Sequence, residues 1–263
     1  MNADSNPEVD WRDWLQRWDR QQEGYVPERE VRFTAVLDAV EQLLPESFVA
    51  LDLACGPGSI SQRLLARFPG ARAVAVDMDP AMLALGQGAL GTFEGRLRWI
   101  KADLAAPDWL KVLGERQIDV VLSTTSLHWL WPDTLDRVYH DLARLLRPGG
   151  AFLNGDHLAY GPTSPTLARL NRSVSTSSGP TPRSPGVASR LRSSGGTSSG
   201  RNRRWRRSWL SVPDCSKASG AKRLRPASTY TCRRCAGPDL PEVGTIWQML
   251  SNRVLLAVRR QYR

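Results

Sequence analysis

Cysteine and lysine are both scarce in this chain, four of each among 263 residues, although Lys and Arg together number 36. Four irregularly spaced cysteines do not make a disulfide framework, so a reducing compartment, the cytoplasm, is the expectation. Cys232 and Cys235 form at most half of a zinc site, because Cys215 is distant and no second pair or suitable histidine follows; no metal is expected. No apolar run approaches the roughly 18 residues of a membrane span, and no secretory h-region is present, so no membrane partner is expected either. Acidic residues are nearly missing from one region. Arg172 to Leu240 carries 15 Lys+Arg against 2 Asp+Glu, a net of +13, while the rest of the chain carries 21 against 24, a net of −3. The overall charge of +10 therefore belongs to one segment, and the remainder offers no electrostatic reason to expect a nucleic acid.

What is present is organised around Phe48 to Ser61, FVALDLACGPGSIS. Phe48-Val49-Ala50-Leu51 is a continuous apolar run, as in a strand covered on both faces. Gly56 and Gly58 permit a sharp turn with no Cβ between backbone and ligand, and Ser59 is placed to cap a helix running to Arg67. A dinucleotide fingerprint would need a third glycine where Ser61 stands. Asp77 ends the next strand, Arg72 to Val76, 21 residues after Gly56, the spacing of an acceptor for ribose hydroxyls, expected about 20 residues on. Asp52, four residues before Gly56, suits a cationic ligand end and not a pyrophosphate.

Asp52-Leu53-Ala54-Cys55-Gly56-Pro57-Gly58 resembles motif I of the class I S-adenosylmethionine-dependent methyltransferases, and Val76-Asp77-Met78-Asp79-Pro80-Ala81-Met82-Leu83 resembles their second motif. The resemblance continues through Trp99-Ile100-Lys101-Ala102-Asp103, Ile118 to Leu122 and Leu145-Leu146-Arg147-Pro148-Gly149-Gly150, covering roughly Tyr25 to His157. It is nearest in kind to small-molecule members such as the trans-aconitate and malonyl-carrier methyltransferases. One departure is Ala54, where many members carry a first glycine. The resemblance implies S-adenosyl-L-methionine as cofactor, held by Asp52, Ala54, Gly56, Gly58, Asp77, Met78, Asp103, Leu104 and Ser123, with Asp77 on the ribose and Asp103 on the adenine amino group. It also implies in-line methyl transfer to a small-molecule acceptor.

Along the chain, Trp11, Trp14 and Trp18 recur at helical spacing, so residues 1–27 read as an amphipathic helix packed on the domain or, with Tyr25, as a lid over the cofactor. Pro27 then opens a helix with Val31, Ala35, Leu37, Val40 and Leu44 apolar. Strands 48–54, 72–77, 97–102, 118–123 and 151–154 alternate with helices 59–67, 80–87 and 134–146, which predicts an α/β, doubly wound, mostly parallel Rossmann-like sheet over 28–160. Ligands of such sheets sit beyond the carboxyl ends of the strands, where Asp52, Gly56, Asp77, Asp103 and Ser123 fall. After strand four the Asn/Asp-Pro-Pro-aromatic motif of amino-methylating nucleic-acid members is absent. His128 and Trp129 stand there instead, His128 being either a structural histidine or one facing the substrate. Asp156 and His157 follow strand five, and His157 is a second candidate base, although sequence neighbours point apart in an extended chain.

From Arg172 to Leu240 periodicity is lost and Ser, Gly, Pro and Arg dominate, the composition of a disordered basic insertion over 161–241. That composition also fits GC-rich coding DNA read out of register between two compensating shifts. Val243–Met249 and Arg253–Val258 then read as the antiparallel last strands, within 242–263. Two rival functions stay open: a nucleic-acid-binding or RNA-modifying protein using the basic 201–234 stretch, and a catalytically silent cofactor-binding scaffold.

Overall fold

β1 (Val49–Leu53) is apolar on both sides because both sides are covered. Leu51 and Leu53 point into one core, with the inner face of α5 (Pro132–Leu145) and Trp109. Ala50 points into the other, with Phe33, Val36 and Val40 of α2 (Arg29–Leu43) and Ile60 and Leu64 of α3 (Ser59–Arg67). Alternation along the strand separates the two cores and puts Asp52 on the α3 side. The computed structural model describes residues 9–115, 117–160, 163–177 and 239–261. In it β2 (Arg72–Asp77), β3 (Leu97–Lys101), β4 (Ile118–Thr124) and β5 (Leu146–His157) lie parallel to β1, β7 (Asn252–Val258) runs antiparallel between β5 and β6, and β6 (Glu242–Met249), antiparallel to β7, returns to the direction of β1, in the order β3-β2-β1-β4-β5-β7-β6. The strand order reverses beside β1, so β1 and β4 diverge to their helices at one switch point and open a crevice at their carboxyl ends.

The remaining helices follow the expected alternation. α1 (Trp11–Tyr25) lies against α4 (Pro80–Leu90), with Trp11, Trp14 and Trp18 around buried Leu15, Leu85 and Ala89. Gly88 makes this possible: a Cβ there would sit 2.4 Å from the Trp11 indole. Asp79 caps α4 by accepting the Ala81 amide at 2.8 Å, with Pro80 at its first position.

Three expectations need correction. The inward face of α2 is Arg29, Arg32, Phe33, Val36, Leu37 and Val40, whereas Val31 is exposed. Two buried arginines hid the phase of the helix. β5 begins at Leu146 and not at 151, because Leu146 pairs with Ile118 before a bulge shifts the register to Val120–Ala151. Helix α6 (Pro165–Ser177) continues past Arg172, where periodicity was expected to stop; Leu167 and Leu170 are too few among Ser, Thr and Arg to mark it. Cys215, Cys232, Cys235 and the basic 201–234 stretch lie outside the described residues. Among the described residues no helix is long and apolar enough to cross a membrane, and no three His, Cys, Asp or Glu side chains group as a metal site.

Candidate active site

The turn after β1 is built on three left-handed residues, Ala54 (φ 55°), Gly56 (φ 55°) and Gly58 (φ 81°). The two glycines serve different ends. Nothing lies within 4 Å of a Cβ added at Gly56, so that face is open, whereas one at Gly58 would lie 2.6 Å from the Trp99 ring. Gly58 therefore lets β3 pack under the turn, and Gly56 leaves room above it. Ala54 holds a conformation that costs a non-glycine residue roughly 1 kcal/mol. Ala54→Gly is accordingly expected to raise stability by up to about 1 kcal/mol in urea unfolding, and a loss of stability would show that the Cβ makes a compensating contact.

Asp77 holds the turn from β2. Its Oδ2 accepts the Gly56 amide at 2.7 Å and its Oδ1 the Asp79 amide at 2.8 Å. Burial raises its pKa, against the pull of these amides. Below the turn Asp52 is enclosed, and its Oδ2 accepts the Ser61 hydroxyl at 2.6 Å. Burial pushes the Asp52 carboxyl up to about 7, opposed by the bonds to Ser61 and reinforced by the Asp77 charge. Ser61, notable in the sequence only for replacing a glycine, is thus the partner of Asp52. The Cys55 thiol, in the turn itself, is driven well above its ordinary value by burial and by both carboxylates, which argues against a thiolate nucleophile.

Around the turn the other expected residues take up distinct places. Met78 is exposed, and Asp103 is exposed with its Oδ1 accepting the Ala105 amide at 2.8 Å. Leu104 is buried in the α5-side core. Ser123 is also buried and donates to the Leu53 carbonyl at 3.0 Å, joining β4 to β1. Tyr25, the last residue of α1, is 68% exposed. α1 is tied to the turn through Asp19, which accepts from Ser59 at 2.7 Å and from Arg29 at 2.9 Å.

Beside this half lies a second polar group at the ends of β4, β5 and β7. His128 Nδ1 is 2.6 Å from Asp156 Oδ1, and Asp156 also accepts the His128 amide at 3.2 Å and the His157 amide at 2.7 Å. The sequence had suggested Asp156 as the orienting partner of His157; the carboxylate instead turns to the ring of His128, because neighbouring side chains of β5 diverge. The His157 ring has its pKa lowered, first by burial and then by the Arg32 charge, with Asp156 pulling the other way. Arg32 is fully buried, donates to Thr125 Oγ1 and to Asn252 Oδ1 at 3.0 Å, and lies across Gly155. Thr125 is itself left-handed (φ 58°), a strained state for a β-branched residue. Arg32, Thr125 and Asn252 carried no motif and were not foreseen.

The open face at Gly56 and the carboxylate of Asp77 beside it fit a nucleoside-bearing methyl donor. The methyltransferase-domain profile matches residues 50–150. Trans-aconitate 2-methyltransferase of Azoarcus sp. (strain BH72) is 34% identical over 134 residues, 51% of this chain and 48% of that protein. The enzyme of the same name from Escherichia coli O139:H28 is 35% identical over 99 residues, 38% of this chain and 35% of that protein. The chain thus spans about half the length, or less, of these curated relatives. An O-methyltransferase family protein from Burkholderia thailandensis shares the fold, with a TM-score of 0.53 and 18% identity over 96% of this chain and 71% of that one. By its glycine turn, its sheet order and these matches, the stretch 50–150 is similar to the class I S-adenosylmethionine-dependent methyltransferases.

Proposed function

We propose that this chain moves the methyl group of S-adenosylmethionine to a small-molecule acceptor by in-line displacement in the crevice at the carboxyl edge of the sheet. The observation that carries the proposal is the Gly56 turn, open on its outer face and clamped by Asp77. When bound, the donor supplies an electrophilic sulfonium methyl. The chain's part is to bind, to orient and to exclude water, which can contribute on the order of 7 to 11 kcal/mol. Asp77, with lone pairs left after its two amide bonds, would take the ribose hydroxyls. Gly56 would let the backbone meet the methionine portion, Asp52 would act on its cationic end from below, and Asp103, with Met78 nearby, would border the adenine. Tyr25, at the end of the anchored α1, would cover the donor. The acidic-leaning domain favours a small acceptor over a nucleic acid.

A calorimetric titration with S-adenosylmethionine, S-adenosylhomocysteine and NAD tests this reading. The sulfur compounds are expected to bind in preference to NAD. Asp77→Ala should weaken binding by about 1.5 to 3 kcal/mol, the cost of charged hydrogen bonds, and Tyr25→Ala in the same titration reads the cover. Tight NAD binding with no response to the sulfonium compound would reject the assignment.

A further inference from the structure

The group at the ends of β4 and β5 assigns a nucleophile class to the acceptor, an inference that rests on the methyl-transfer reading above. We propose that His128 is the general base of this chain, that Asp156 is its positioning residue, and that the acceptor is a planar molecule presenting an acidic hydroxyl of the phenol kind.

Three observations converge. First, Asp156 is 1% exposed and His128 23% exposed, with Nδ1 of the ring 2.6 Å from the carboxylate. An ionised carboxylate only accepts, so Nδ1 is the donor, and the neutral ring keeps its lone pair on Nε2. Asp156 is fixed in turn by the His128 and His157 amides, so the ring orientation is set by backbone. Second, the base stands beside the donor turn. Ser126, two residues before His128, donates to the Ala54 carbonyl at 3.0 Å and to the Thr124 carbonyl at 2.8 Å, so the loop carrying His128 is pinned to the head of the glycine turn. Third, the adjoining surface is aromatic. Trp129 is 65% exposed with its ring 4.7 Å from that of His128, and Trp131 is exposed as well. An exposed indole beside a base suits a flat acceptor.

The charges select among nucleophiles. A carboxylate acceptor is already ionised and wants a reachable cation, yet the guanidinium of Arg32 is enclosed and bonded to Thr125 and Asn252. An ammonium acceptor would enter next to Arg32 and two imidazoles against the single carboxylate of Asp156. A phenol, with an ordinary pKa of about 10, is neutral on arrival and within range of imidazole as a base. Its proton passes to Nε2 of His128 while an oxygen electron pair forms the new O–CH3 bond and the C–S electron pair returns to sulfur. The products are the methyl ether, the neutral thioether and an imidazolium that gives its proton to water.

The test uses the full chain with S-adenosylmethionine and a series of 4-substituted phenols, with trans-aconitate and benzylamine as the carboxylate and amine arms. Methyl ethers are expected. His128→Asn keeps a donor toward Asp156 but has no base, and should lower kcat by roughly 100- to 10,000-fold while leaving KM for the phenol and the donor affinity measured by calorimetry little changed. Nitrogen-15 spectra of the neutral ring at high pH should show Nδ1 protonated and Nε2 bare, and Asp156→Asn should shift that tautomer balance toward Nε2–H. An Nε2–H tautomer in the parent chain, ester or methylamine as the sole product, no ether from any phenol, or ether formation by His128→Asn at the parent rate would each overturn the assignment. Failure of the donor to bind would instead reject the methyl-transfer reading itself.

Discussion

Replacing Arg32 with methionine is expected to lower the stability of the chain by about 3 to 5 kcal/mol, the range for breaking a buried charged network. The side chain is fully enclosed, and burial lowers its pKa to about 10, with Asp156 pulling upward and Arg29 downward, so it remains a cation at neutral pH. Its two guanidinium nitrogens satisfy Thr125 and Asn252, and Asn252 in turn donates to the Pro27 carbonyl at 3.1 Å, so one residue joins α2, the end of β4 and the start of β7. Methionine fills part of the volume but removes a buried cation that interacts with the Asp156 carboxylate, and leaves Thr125 in a strained backbone state, worth roughly 1 to 3 kcal/mol, without the bond that holds it. Val31→Met, one position earlier on the exposed face of the same helix, should change stability by less than about 0.5 kcal/mol. Urea unfolding of the three proteins decides the matter: a loss below about 1 kcal/mol for Arg32→Met would show that the network relaxes around the gap.

That contrast also shows what the sequence could and could not say. The glycine turn, Asp77 and the alternation of strands and helices were legible because each is a local rule: a backbone state only glycine adopts readily, a spacing fixed by one β-α-β unit, and apolar runs of strand length. The pairing of Asp156 with His128 was not legible, because it joins the ends of two strands 28 residues apart in sequence, and the adjacent His157 offered a misleading local alternative. Arg32 was hidden for the same reason in reverse: an arginine on a helix reads as solvent-facing until the strand end that receives it is in place. Ser61 likewise acquires its role from Asp52, which reaches it only once α3 has folded back over β1. The reading of 172–240 as basic linker or out-of-register translation falls mostly on residues outside those described. At its near edge α6 exposes Leu167 and Leu170, apolar positions that a covering segment would bury.

Asp52 provides the second large effect, and its direction depends on pH. In the unfolded chain this carboxyl titrates at its ordinary 3.8; burial in the fold moves it up to about 7. Between those values the native chain holds a proton that the unfolded chain has released, so folding loses stability as pH rises from about 4 to about 7, and the loss is complete above that window. At about 1.36 kcal/mol per unit, the gap corresponds to at most about 4 kcal/mol, and a cost on the order of 2 to 4 kcal/mol is expected at pH 8. Asp77, also raised by burial, tilts the curve the same way, so the comparison of Asp52→Asn with the parent isolates the one group. Asparagine can still accept the Ser61 hydroxyl but does not ionise. The variant should therefore match the parent near pH 4 and exceed it increasingly toward pH 8. A carboxyl retained at such a cost needs a compensating use, and a cationic ligand above the turn supplies one by drawing Asp52 into its ionised form. Binding of S-adenosylmethionine by the parent near pH 6.5 should then release a proton, seen as a dependence of the calorimetric heat on buffer ionisation enthalpy, and Asp52→Asn should abolish much of it. Parallel stability curves for the two proteins from pH 4 to 8, or equal proton release by both, would show that Asp52 is already ionised within the fold.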